Sequence, residues 1–327
     1  MTAYLIRRIL YALPILVGIN ILTFSLFFVV NSPDNMARMH LGERHVTQES
    51  VEIWKRAHGY DLPLLWNATA PSTQKLTRTI FYQNSLSLFT LQFGRSDGGR
   101  DIGYDLQQRM LPSLAIALPV LVLELVLAIS LGLMVALLRG SYFDRWITLA
   151  CVAAMSISSL FFIIAGQFFV AKLLRLTPIS GYDDGFAALK FLALPVLVQV
   201  AAGLGASVRW KRTVFLEEIS KDYVRTAWAK GLTENQVLWR HVLRNALLPL
   251  LTAIVVTLPS LFLGSLITES FFAVPGLGSY TIDAIQNQDF AIVRAMVFLG
   301  SLLYMLGLVL TDISYAWADP RVRLAVN

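Results

Sequence analysis

Six stretches of this chain are apolar over close to the length a helix needs to cross a lipid bilayer, about 20 residues. They occupy residues 9–30, 113–138, 146–171, 191–208, 246–268 and 295–317. Four carry no charged side chain; the second holds Glu124, and the sixth holds Asp312 near its end. Of 327 residues only 15% are charged and 56% are apolar, with a mean hydropathy of +0.62. A soluble domain has about 25% charged residues with which to meet water. This chain has too few, so its outer surface is predicted to face lipid. The expected fold is all-α, a polytopic membrane protein with six spanning helices.

The cations give the direction of insertion. Arg7 and Arg8 precede the first run, which exceeds the roughly 7–15 apolar residues of a signal peptide and has no A-x-A pattern after Val30. We read it as a retained helix with a cytoplasmic N-terminus. Alternation then puts 139–145, 209–245 and the tail with Arg321 and Arg323 inside, and 173–190 and 270–294 outside. The inner segments are the basic ones, above all the fourth loop, with Arg209, Lys211, Arg212, Lys221, Arg225, Lys230, Arg240 and Arg244. Short loops retained in the cytoplasm show this bias. Lys172, Arg175 and Lys190 form a mild exception, offset by Asp183 and Asp184. The excess of 27 Lys and Arg over 21 Asp and Glu therefore reads as membrane topology rather than nucleic-acid binding.

Residues 31–110 are long, polar and mixed in charge, and read as a small external insertion. Thr47 is a predicted N-cap for a short helix through His58, stopped by Gly59; Pro63 and Pro71 then break the chain. Cys151 lies alone in an apolar run and reads as a packing residue. His40, His45, His58 and His241 are scattered along the sequence and offer no metal-binding cluster.

The loop between the fourth and fifth spans has more organisation than a connection requires. Ile219, Tyr223 and Ala227 recur at helical spacing. Gly231 can adopt the left-handed conformation that ends a helix. Thr233 and Gln236 fit a capping box for a second short helix, with Val237, His241 and Asn245 on one side, before Pro249 opens the fifth span. Small residues at Ala227, Ala229 and Gly231 would let a partner approach the backbone. Periodicity alone fits equally an amphipathic element resting on lipid headgroups.

The sequence Asp222-Tyr223-Val224-Arg225-Thr226-Ala227-Trp228-Ala229-Lys230-Gly231-Leu232, followed by His241 through Pro249, resembles the coupling loop of permeases in the dipeptide/oligopeptide/nickel branch of binding-protein-dependent ABC importers. Other motifs resemble that family in order: Phe93-Gly94-Arg95-Ser96, Thr177-Pro178-Ile179-Ser180-Gly181-Tyr182, Val274-Pro275-Gly276-Leu277-Gly278, Asp289-Phe290 and the tail from Asp312 to Arg321. Trp228 and Trp210-Lys211-Arg212 depart from the usual pattern, and 65–91 carries no family landmark.

The resemblance implies a type I ABC importer permease fold. Residues 1–108 would form the first span and external insertion, 109–317 the permease core with its coupling loop at 210–245, and 318–327 a cytoplasmic tail. It implies a bacterial inner-membrane subunit that moves peptides or peptide-like solutes; dipeptides, oligopeptides, peptide antibiotics and nickel chelates all fit. It implies a homologous second permease, two ATPase subunits or domains and an extracytoplasmic solute-binding protein. ATP would be bound by the partners, with no cofactor on this chain, which has no G-x-x-x-x-G-K-[ST] phosphate loop. The resemblance also makes Asp222, Tyr223, Arg225, Ala227, Ala229, Lys230, Gly231, Arg244 and Asn245 the expected ATPase-coupling residues.

Charge inside a membrane is costly and belongs in a cavity or against a partner. Glu124 is the foremost candidate for a pathway lining, with hydrogen-bonded packing as its alternative; Gln167, Gln199 and Glu269 follow. Asp312 is expected to pair with a nearby arginine. Gly132/Ala136 and Ala201/Gly205 have the spacing of close helix packing. A secondary transporter would call for inverted repeats or paired broken helices, and a membrane enzyme for a convergent catalytic set; neither pattern is visible in the sequence.

Overall fold

The computed structural model describes residues 2–42, 46–71, 74–183 and 185–318. Arg321 and Arg323, and the side chain of Asp312, lie outside what is described. Among the described residues the chain is helical almost throughout, with one extended bridge between Arg95 and Asp101. Helix α1 (Thr2–Phe24) continues into a π-helical turn, Ser25–Val30, followed by α2 (Pro33–Leu41), α3 (Gln48–Ala57) and α4 (Ile80–Asn84). Next come α5 (Ile102–Leu137), α6 (Tyr142–Met155) and α7 (Ser159–Gly166), the last extended by a π segment, Gln167–Leu173. Helix α8 (Ala188–Ile219) precedes α9 (Asp222–Ala229), α10 (Glu234–Val237) and α11 (Leu243–Leu263). The chain ends with α12 (Leu266–Phe271), α13 (Leu277–Gln286) and α14 (Phe290–Ala318).

Five of the six expected spans are helices long and apolar enough to cross a bilayer: Leu10–Val30, Ile102–Leu137, Gly185–Ile219, Glu234–Phe271 and Phe290–Thr311. The third is not one rod. Tyr142–Met155 and Ser159–Leu173 meet at 94°. Serines cause the break. Ser156 Oγ donates back to the Val152 carbonyl at 2.9 Å, and Ser158 Oγ accepts from the Leu160 amide at 3.3 Å. Such side-chain bonds replace the backbone ladder at the two helix ends. The fifth span also changes helix, α11 stopping at Leu263 and α12 starting at Leu266.

Two other boundaries move. Arg209, Lys211 and Arg212 extend α8 instead of opening a loop. The fifth span begins as early as Glu234, with Pro249 inside α11. A π turn at Leu238–Val242 shifts the register, so Val242 follows Val237 into the core while His241 is half-buried.

The described chain forms two compact units. The first comprises 111–279 and 307–318. Its core joins Ile116, Ile163, Leu192, Leu194, Phe272 and Val274. Helix α8 comes so near α6 that a Cβ on Gly205 would lie 2.8 Å from the Cys151 carbonyl oxygen, and near enough to α5 that one on Gly132 would lie 3.2 Å from Lys211 Cβ. Ala136 is also buried, whereas Ala201 is exposed. Arg212 holds α8 to α6: its Nε and Nη2 donate to Asp144 Oδ1 and Oδ2 at 2.9 and 3.0 Å, beside the Gly140 amide at 2.9 Å.

The second unit comprises 2–110 and 280–306. Helix α3 starts at Thr47, whose Oγ1 accepts from the Ser50 amide, and stops before Gly59 at φ +69°, as its sequence predicts. Phe24, Phe28, Met36, Val51, Trp54, Tyr60 and Ile80 make one apolar cluster. Two histidines that look unrelated in sequence converge here. His58 Nε2 lies 3.2 Å from Asp97 Oδ1, and His40 Nδ1 lies 3.5 Å from Asp97 Oδ2. The Asp97 amide in turn donates to Asp289 Oδ2 at 2.9 Å, and Asp289 Oδ1 caps α14 at the Ile292 amide. His58 Nδ1 also faces the Trp54 carbonyl at 2.8 Å. Both of its nitrogens therefore meet acceptors, which the protonated ring satisfies. The Asp97 bond accordingly raises its pKa, against the opposing effect of burial.

Candidate functional site

Helices α9 and α10 form the pair expected between the fourth and fifth spans. In α9, Val224 and Ala227 turn inward with Val237, Leu238 and Val242, against Leu133 and Ala136 of α5 and Phe215 of α8. Gly231 ends the first helix at φ +80°, with open space where a Cβ would stand. Thr233 and Gln236 make the capping box, the Thr233 amide donating to Gln236 Oε1 at 3.1 Å. Ala227 is 4% exposed, so its small side chain serves the chain's own packing and is not available to a partner. This departs from the close approach expected there, because the helix needs that face to bury itself.

The opposite surface carries Asp222, Arg225, Ala229, Lys230 and Gly231, all exposed. Asp222 and Arg225 approach at 3.5 Å with side chains 95% and 72% exposed, a pair worth little in water. Tyr223 sits between the faces. Its hydroxyl donates to Glu218, which also receives Lys221 Nζ, so the buried end of α8 holds the start of α9. Burial and then that carboxylate push the Tyr223 pKa up to about 12, so the phenol remains a donor at neutral pH. Arg244 and Asn245 are exposed on the first turn of α11, with Asn245 Nδ2 donating to the His241 carbonyl at 2.8 Å. The apolar stripe formed by Val224, Ala227, Val237, Leu238 and Val242 is thus consumed inside the protein, while Trp228 and Trp239 remain exposed. A headgroup-resting helix would turn that stripe to lipid instead.

The pathway candidates separate into two kinds. Glu124 lines two cavities, of about 310 and 480 Å3, the first also walled by Ser207, Trp210 and Lys211 and the second by Ser159, Gln199 and Ser260. Ser207 Oγ donates to Glu124 Oε1. Lys211, which the sequence places in a loop, is 7% exposed within α8, its side chain lining the same cavity as Glu124. Gln167 is a tether: its Nε2 donates to the Ile179 and Phe271 carbonyls at 3.2 and 3.1 Å.

Glu269 is also structural and lines neither cavity. It is 1% exposed, and its Oε1 accepts from Ser113 Oγ and the Ser265 amide at 2.9 and 3.0 Å. Its Oε2 accepts from the Gly278 and Ser279 amides at 2.7 and 3.1 Å, at the N-terminus of α13, where the helix dipole favours an anion. The run Val274-Pro275-Gly276-Leu277-Gly278 gains a physical reason here: a Cβ on Gly276 would lie 2.2 Å from Glu269 Oε2.

Helices long and apolar enough to cross a bilayer, with a capped helix pair between two of them, are the architecture of a polytopic membrane protein. Residues 128–324 match the family described as binding-protein-dependent transport system inner membrane component, and residues 1–70 match its N-terminal companion family. The oligopeptide transport system permease protein AppB of Bacillus subtilis is 30% identical over 99% of this chain and 100% of its own length. The di/tripeptide transport system permease protein DppB of Pseudomonas aeruginosa and the dipeptide transport system permease protein DppB of Bacillus subtilis are each 28% identical over 99% of both chains. The chain belongs to the family of binding-protein-dependent inner membrane transport components. It is a multi-pass membrane subunit of an ATP-driven importer with the type I permease fold, and ATP hydrolysis resides on separate subunits. A transporter that dispenses with an ATPase is not the reading this membership allows.

Proposed function

We propose that this chain is one of two homologous permease subunits of a peptide importer, gripped by an ATPase at the outward face of α9 and the Gly231 turn. Asp222, Arg225, Ala229, Lys230 and Gly231 supply the contact surface. Tyr223, Ala227 and Asn245 frame it, and Arg244 lies beside it. Two ATPase subunits or domains bind ATP, and an extracytoplasmic binding protein delivers the cargo. The N- and C-termini and the α9–α10 pair lie in the cytoplasm, in keeping with the basic residues of 209–245. Peptide cargo is the reading favoured by the names of the relatives, which are oligopeptide, di/tripeptide and dipeptide permeases.

The observation that carries the docking proposal is the division of α9 into an internally packed apolar face and an exposed one that carries Asp222, Arg225 and Trp228. The test is Gly231→Asp. A non-glycine residue is strained at φ +80°, by about 1 kcal/mol or more. Aspartate, however, is among the residues that enter the left-handed region, and no neighbouring atom occupies the space, so the variant is expected to reach the membrane. ATP-driven dipeptide uptake should fall about tenfold or more, the effect of losing roughly 1.4 kcal/mol of association. Normal uptake would place the docking surface elsewhere.

Glu124 and Gln199, sharing the larger cavity, are proposed to face the solute path. Glu124→Gln should lower uptake without lowering abundance, and unchanged uptake would remove Glu124 from the path.

A further inference from the structure

The unit of residues 2–110 and 280–306 contains a polar cavity of about 400 Å3 that the transport reading does not use. Arg294 forms part of its wall and is 4% exposed. Its Nη2 donates to Asn84 Oδ1 at 3.0 Å, and its guanidinium lies 5.1 Å from the centre of the Phe28 ring. Its Nε and Nη1 make no hydrogen bond among the described residues, and the buried Tyr60 hydroxyl is the polar group set against the guanidinium. A buried charge with no counter-charge and vacant donors is among the costlier arrangements in a protein. The location adds to the cost, because Arg294 stands near the N-terminus of α14, where the helix dipole disfavours a cation.

Of the nearby carboxylates, Asp97 turns Oδ1 to His58, while its Oδ2, 3.5 Å from His40 Nδ1, is buried without a hydrogen bond of its own; Asp289 accepts the Asp97 and Ile292 amides. His58 and Arg95 also line the cavity, so Asp97 is outnumbered there by cationic groups. Gln83, Asn84 and Ser87 contribute neutral polar groups to the same wall. The site has the elements of an anion pocket: a fixed guanidinium, neighbouring positive charge, and room for a small solute.

We propose that this cavity binds a small carboxylate, with the vacant donors of Arg294 as its principal contact. Nε and Nη1 lie on opposite edges of the guanidinium, and either one, with the second Nη2 hydrogen, makes the parallel pair of donors that matches the two oxygens of a carboxylate. The depth of Arg294 suits a free solute better than a bulky protein side chain. The site is separate from the Glu124 cavities, and its occupancy does not depend on which cargo the transporter carries.

The probe is 13C-labelled acetate added to the intact transporter in lipid nanodiscs, with saturation-transfer NMR as the readout and chloride as competitor at constant ionic strength. Saturable acetate binding is expected in the natural protein. Asn84→Asp places a fixed carboxylate beside Nη2 with almost no change in size, and should reduce acetate binding about tenfold or more. Arg294→Gln should do the same; if that buried replacement does not fold, Asn84→Asp decides the matter. Absence of saturable acetate binding in the natural protein overturns the proposal, as does binding that persists undiminished in Asn84→Asp.

Discussion

Two glutamates in apolar helices show how little a residue's depth in the membrane says about its task. Glu269 is surrounded by donors, and Glu269→Ala would strip acceptors from the amides of Ser265, Gly278 and Ser279. At about 1 kcal/mol or more for each stranded group, the loss is at least about 3 kcal/mol. Thermal unfolding of the purified subunit should show it as a lower midpoint, and an unchanged midpoint would refute the capping role. Glu124→Gln retains an acceptor for Ser207 and should change the stability by no more than about 1 kcal/mol, with a correspondingly small shift of that midpoint. Both carboxylates stand out in the sequence because charge is rare in such segments. Their roles do not, because the partners of Glu269 are as far away as Ser113, and Gly276 makes room for it by having no side chain. Arg294 escaped sequence reasoning for the same reason: burial of a cation is invisible until Phe28 and Asn84 are seen against it.

At the scale of elements, local signals were reliable and long-range ones were not. Thr47, Gly59, Gly231 and the Thr233/Gln236 pair each mark a helix end through groups close by in the chain. The Ser156-Ile157-Ser158-Ser159 run was an available sign of the bend, but the continuous hydropathy around it masked the break. The clasp that His58 and His40 make on Asp97 had no local sign at all. It carries a pH dependence. The groups facing His58 are Asp97 and the Trp54 carbonyl, with the stacked Trp54 ring, His40 and Tyr60 around it and the Asp289 charge nearby. Its folded-state pKa is raised above the ordinary histidine value of about 6.5. The stabilisation is therefore complete below about pH 6.5 and is lost as pH rises through the raised value. The melting temperature is expected to fall over that interval, and His58→Gln should abolish this component of the fall. An identical slope in the variant would show that His58 is not its source.

For the whole molecule, the class was legible because composition and six apolar runs leave few alternatives, and because ordered motifs resemble one transport family. Less legible was the grouping of 280–306 with the N-terminal 110 residues, which depends on contacts such as Tyr280 with Asp105. Reconstituted alone in liposomes, this chain should support no ATP-driven dipeptide accumulation. Adding its ATPase, second permease and binding protein should restore it, and ATP-driven accumulation by the lone chain would contradict its assignment as one subunit. The packing of Val224, Ala227 and Val242 against Leu133 and Phe215 bears on how such a machine moves. If α9 is the part an ATPase seizes, as proposed above, a handle already fused to the beams behind it need not fold on contact, so little entropy is spent there. Its stiffness would also hand a small push directly to α5 and α8, the helices that carry Glu124 and Gln199.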